Sequence, residues 1–147
     1  MKLRILVVED NVLSRELLCD WLETEGYDVT SAEDLKAAFA AVRSHQPHAV
    51  LLDIQVGADD GLALATWIRQ EPAFQEIPVI AVTAHAMAGE RQRILEGGCN
   101  ACFSKPIDFA ALQKQLHLSL HNEAASQSVS FAEKREANVR NRSGSAE

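Results

Sequence analysis

Five short apolar runs recur along this chain, and each is separated from the next by a stretch with helical spacing. That alternation constrains the fold more than any other feature. The runs are Leu3 to Val8, Tyr27 to Ala32, Ala49 to Leu52, Ile77 to Val82 and Ala101 to Ser104. They are short enough for strands, and Ala49 to Leu52 is apolar throughout, as suits a strand buried on both faces. Between the runs, apolar residues return at three- and four-residue intervals. Leu13, Leu17, Leu18, Trp21 and Leu22 mark a first helix, with Asn11 as its N-cap and Gly26 as its stop. Leu35, Ala38, Phe39 and Val42 mark a second, from Asp34 to Ser44, and Pro47 closes that connection. Leu62, Ala65, Trp67 and Ile68 mark a third, ending before Pro72. A weaker fourth runs from Ala88 to Glu96 and stops at Gly97-Gly98. Phe109, Leu112, Leu116 and Leu120 form the stripe of a fifth, from Asp108 to His121. Gly57 to Gly61 reads as loop.

Strands alternating with helices in this way predict an α/β fold, with parallel strands, right-handed crossovers and helices on both faces. For five strands the simplest arrangement is the flavodoxin-like doubly wound sheet in the order 2-1-3-4-5.

The chain has 147 residues, enough for one domain with a sizeable core, and its net charge of −7 argues against a nucleic-acid or membrane-surface partner. No apolar run approaches the length of a bilayer span. The start, Met1 to Val8, does not read as a signal peptide, because Glu9 and Asp10 follow at once. Cys19, Cys99 and Cys102 are an odd, sparse set that fits a reducing cytoplasm. After His121 the composition shifts to Ser, Ala, Asn, Glu and Arg. The expected organisation is a domain over 1–121 and a polar tail over 122–147, mostly disordered, with Phe131 to Asn141 able to form a helix on a partner or against the domain.

The residues at the ends of the first, third, fourth and fifth strands are Glu9-Asp10, Asp53, Thr83 and Lys105. Singly, each has a bland reading: solvated loop charges, an N-cap or turn aspartate, a turn threonine, a surface lysine. Together, in a doubly wound sheet, they converge at the edge where ligands bind. Three crowded carboxylates call for a cation, and oxygen-only ligands suit Mg²⁺. A lysine and a hydroxyl beside them suit phosphoryl oxygens. A carboxylate placed there can itself accept a phosphoryl group.

These residues carry a resemblance to the receiver domains of two-component response regulators. It spans Lys2 to His121, through Val8-Glu9-Asp10-Asn11, Leu52-Asp53-Ile54-Gln55, Ala81-Val82-Thr83-Ala84 and Ser104-Lys105-Pro106. From Ile77 to Pro106 the chain looks most like stand-alone receivers of the DivK type. The resemblance implies that Asp53 accepts a phosphoryl group from a sensor histidine kinase or a histidine phosphotransfer protein. Glu9, Asp10, Asp53 and the backbone carbonyl of Gln55 would hold Mg²⁺. Lys105 would contact the phosphoryl group, Thr83 would move toward it, and the Lys105-Pro106 bond would be cis. Output would pass to a protein target in trans, through the fourth helix, fifth strand and fifth helix, and a homodimer is compatible with it. The chain would thus be a switch, or a phosphorelay intermediate or sink, and no enzyme beyond its own phosphorylation and dephosphorylation.

Two positions depart from the family pattern. Gly57 stands where a proline is usual, which predicts a more flexible loop. Cys102 stands where a tyrosine or phenylalanine is common, and Phe103 beside it should face the opposite side of the sheet. Cys99-Asn100-Ala101-Cys102 spells C-x-x-C, but zinc lacks further ligands and a redox pair belongs at a helix N-terminus, so small-residue packing is the default. His85 is read as an exposed loop residue. A rival class is a Mg²⁺-dependent phosphohydrolase acting through an aspartyl-phosphate. It would want an acid/base carboxylate two residues after the nucleophile, where Gln55 stands.

Overall fold

The computed structural model describes residues 2–121. The expected tail, 122–147, lies outside the described residues. In chain order the elements are β1 (Arg4–Val8), α1 (Val12–Thr24), β2 (Asp28–Ala32), α2 (Leu35–His45), β3 (Ala49–Asp53), β4 (Gln55–Val56), β5 (Asp59–Asp60), α3 (Leu62–Gln70), β6 (Val79–Thr83), α4 (Ala88–Glu96), β7 (Ala101–Ser104) and α5 (Phe109–His121). Five strands form one parallel sheet in the order β2-β1-β3-β6-β7, which is 2-1-3-4-5 counted along that sheet.

Strand alternation divides the core into two faces. Leu6, Val8, Val50, Leu52 and Ala81 point to the side of α2 and α3, where Val42, Leu64 and Ile68 are buried. Ile5, Val7, Ala49, Leu51 and Ile80 point to the side of α1 and α5, where Leu18, Leu22, Leu112 and Leu116 are buried. Cys102 packs in the first cluster, and Phe103 packs against the second. The first helical stripe splits: Leu18 and Leu22 go into the core, while Leu13 and Leu17 are exposed.

Caps set the helix starts. Asn11 Oδ1 accepts from Ser14 N–H at 2.9 Å, Asp34 Oδ1 from Ala37 N–H at 2.7 Å and Asp108 Oδ1 from Ala111 N–H at 3.1 Å. The sheet strand expected from Ile77 starts at Val79 instead, since Pro78 has no N–H to give a ladder. The third sheet strand runs one residue longer than its apolar run, to Asp53, whose partner on β6 is Val82.

The segment expected as loop after Asp53 holds a small hairpin. Val56 pairs with Asp59 and Gln55 with Asp60, and the connection is Gly57-Ala58. Gly57 has φ +63°, the positive value that a two-residue hairpin turn demands at its first position and that glycine adopts without strain.

At the N-terminal edge of the sheet, Arg69 of α3 is buried. Its guanidinium donates to the carbonyls of Gly98 and Gln75 at 2.8 Å, to that of Ile77 at 2.6 Å and to Asn100 Oδ1. It ties α3 to the segments that lead into β6 and β7. Burial pulls its pKa down to about 10, so the group stays charged at neutral pH.

Candidate functional site

The opposite edge gathers the strand-end residues into one cleft of about 300 Å³. Glu9 follows β1, and its N–H donates to the Ala32 carbonyl at 3.0 Å, which keeps it in line with β2. Asp53 ends β3, Thr83 ends β6 and Lys105 follows β7, its N–H bonded to the Thr83 carbonyl at 2.9 Å. Glu9, Asp53 and Thr83 are buried, and Asp10 is exposed.

Lys105 Nζ lies 2.9 Å from Glu9 Oε1 and 3.3 Å from Asp53 Oδ2. Asn11 N–H donates to Glu9 Oε2 at 3.1 Å, so the residue that caps α1 also orients an acid. Gln55 N–H donates to Asp53 Oδ1 at 3.2 Å, and Gly57 N–H to Asp10 Oδ2 at 2.9 Å. Carboxylate oxygens of Glu9, Asp10 and Asp53 all lie within 4.8 Å of one another. The Thr83 hydroxyl accepts from His85 N–H at 3.1 Å, and His85 itself is exposed. The Lys105-Pro106 peptide bond is cis.

The electrostatics are frustrated. Burial pushes the Asp53 carboxyl up from 3.8 to about 7, helped by the hydrogen bond and like charge of Glu9, while Lys105 pulls the other way. The carboxylates raise the Lys105 ammonium above its usual value against the opposing effect of burial. One cation among three carboxylates leaves a negative surplus, and hard oxygen donors at this spacing fit a small divalent ion.

The structure brings together every residue expected at the strand ends: Glu9, Asp10, Asp53, Thr83, Lys105 and the backbone at Gln55. The domain resembles response regulator receiver domains along residues 5–117. The chain belongs to that family. The receiver domain is 41% identical over 103 residues to the polar-differentiation response regulator DivK of Brucella anthropi, covering 70% of this chain and 84% of the relative. Brucella ovis DivK matches to the same extent. A receiver domain of a sensor histidine kinase from Pseudomonas aeruginosa PAO1, solved with a magnesium ion coordinated in its active-site cleft, superposes with a TM-score of 0.75. It is 31% identical, over 82% of this chain and 98% of that one. The signal receiver domain of a LuxO repressor protein from Vibrio parahaemolyticus shares the fold, with a TM-score of 0.77 at 24% identity, over 86% of this chain and 96% of that one. This receiver domain is therefore a response regulator of phosphorelay signalling.

Two further positions shape the site. A Cβ on Gly61 would collide with the Asp53 carbonyl oxygen, so only glycine lets the chain pass back under β3. Gly57, through its N–H, reaches Asp10. Their approach to Asp10 and Asp53 could not be read from residue type, since Gly57 to Gly61 reads as ordinary loop. The C-x-x-C cysteines are free and buried, and burial raises both thiols, Cys99 to about 12. A thiol held protonated in this way is a packing group and no redox nucleophile.

Proposed function

We propose that Asp53 is the phosphoryl acceptor of this response regulator, with Glu9, Asp10, Asp53 and the Gln55 carbonyl holding Mg²⁺. The observation that carries the reading is Asp53 itself. It is a buried carboxylate at the end of a central strand, beside an ammonium at 3.3 Å and two further acids. In the transfer, a carboxylate oxygen of Asp53 forms a bond to phosphorus as the phosphorus–nitrogen bond of a phosphohistidine breaks. The imidazole leaves with the electron pair. Bound Mg²⁺ supplies positive charge for the phosphoryl oxygens. Lys105, already 3.3 Å from Asp53, turns its ammonium to a phosphoryl oxygen, and Thr83 offers its hydroxyl to another. Gln55 N–H, bonded to Asp53 Oδ1, holds the carboxyl plane during attack.

The donor is a sensor histidine kinase or a histidine phosphotransfer protein, in the cytoplasm. Support comes from α1, where Val12, Leu13 and Leu17 are exposed within two turns of the acids. An apolar stripe beside a charged cleft suits a protein donor better than a small molecule. No helix among the described residues is long and apolar enough to cross a membrane.

Incubation with Mg²⁺ and acetyl phosphate or a phosphorylated donor should label the protein with one base- and hydroxylamine-labile phosphoryl group. Asp53→Asn should abolish the label. Undiminished labelling of that variant would remove Asp53 from the role.

A further inference from the structure

α4 has little apolar anchorage. Ile94 is its one buried residue, and polar groups supply much of its hold on the domain. Arg91 Nη1 donates to the Cys102 carbonyl on β7 at 2.9 Å. Arg93 Nη1 reaches across to Asp60 Oδ2 on β5 at 2.9 Å, and its Nη2 pairs with Glu90 Oε1 at 2.7 Å. Asp60 is engaged a second time, for its Oδ1 accepts from Leu62 N–H at 3.0 Å at the start of α3.

The hairpin that presents Asp60 also grips the acid cluster. Its turn residue Gly57 donates to Asp10 Oδ2 across 47 sequence positions. The hairpin starts just beyond Asp53, with only buried Ile54 between. It thus touches the acids at its tip and α4 at its base. Cys102, a small buried thiol, offers no ring that could swing between faces as a second connection.

We propose that the β4–β5 hairpin couples occupancy of the acid cluster to α4, with Gly57 as a positioning residue for Asp10 and the Asp60–Arg93 pair as the far end of the coupling. This rests on the reading that an ion and a phosphoryl group occupy that cluster. The Gly57 amide holds one oxygen of the exposed Asp10 carboxylate and leaves the other for a ligand. A proline at 57 would lack the N–H and cannot adopt φ +63°. Coupling between sites is reciprocal, so if an ion at Asp10 steadies the hairpin, loosening the hairpin at Arg93 weakens binding at Asp10. Exposed ion pairs contribute little to stability, which makes the Arg93 end separable from folding.

The experiment is Mg²⁺ titration calorimetry on the full chain, with amide spectra recorded in parallel. Arg93→Gln, which touches none of Glu9, Asp10 and Asp53, should weaken Mg²⁺ binding by about twofold to fivefold. Arg93→Lys should recover most of the affinity, because an ammonium can still pair with Asp60. In the parent protein Mg²⁺ should shift the amides of Gly89 to Ile94, and in Arg93→Gln that response should fade. Unchanged affinity in a folded Arg93→Gln variant overturns the coupling. Parent protein that binds no Mg²⁺ overturns the acid-cluster reading and the coupling with it, whereas intact binding with silent α4 amides overturns the coupling alone.

Discussion

Buried charge sits at both edges of the sheet, and the two edges treat it in opposite ways. At the N-terminal edge, Arg69 aims its guanidinium at three carbonyls and the Asn100 amide oxygen. At the C-terminal edge, Glu9 and Asp53 share Lys105 and crowd each other. A buried group with enough partners fastens structure, because any change leaves a desolvated atom unpaired. A buried group with too much like charge waits for something to relieve it. The difference separates a fastening from a binding site where burial alone does not.

The largest expected effect comes from breaking the satisfied edge. Arg69→Met would strip a partner from the buried Gly98 carbonyl and from the half-buried carbonyls of Gln75 and Ile77, and lower unfolding free energy by about 3 kcal/mol in urea titrations. Phosphoryl labelling below the melting range should survive it. Next comes the frustrated edge without metal. Asp53 is pushed from 3.8 to about 7 in the folded chain. Between those values the native state keeps a proton that the unfolded chain has lost, so stability falls as pH rises and levels off above 7. After discounting for solvent screening, Asp53→Asn should remove about 2 kcal/mol of that fall, and urea midpoints from pH 4 to 8 would show it. Equal pH slopes in the two proteins would mean that the edge is not frustrated.

Ligand should relieve what the sequence left unbalanced. Mg²⁺ at ten times its dissociation constant should add about 1.4 kcal/mol at pH 7.5 and flatten the pH slope, while leaving Asp53→Asn less affected. Smallest is Lys105→Met. Its cost at pH 8 should shrink by about 1 kcal/mol at pH 5, where Asp53 is protonated and needs the cation less. Thermal unfolding at the two pH values checks this.

The frustrated edge was legible from residue order, and the satisfied one was not. Carboxylates, threonine and lysine directly after apolar runs declare themselves, because strand ends of a doubly wound sheet converge. Arg69 looks like any polar residue on an amphipathic helix, and its acceptors include three backbone carbonyls and the Asn100 amide oxygen, up to 31 positions away, which no side-chain pattern records. Leu13 and Leu17 share helical spacing with Leu18 and Leu22, and only packing decides which pair faces the sheet. The β4–β5 hairpin has strands of two residues, too short for any period to show. The Gly57 bond to Asp10 joins two backbone turns whose approach follows from the finished sheet.

Asp53 belongs to the ladder: its partner is Val82, and Ile54 N–H donates to the Val82 carbonyl at 3.3 Å. An acceptor built into the central ladder cannot lean out to meet a donor without shearing the sheet. With 7% of its surface open, it also admits reagents along a narrow corridor. On the proposed reading, all travel falls to the partner, whose imidazole must project far enough to enter head-on. Fidelity among kinases would then be decided by trajectory: a donor with the right chemistry but a shallow approach never comes within bonding distance.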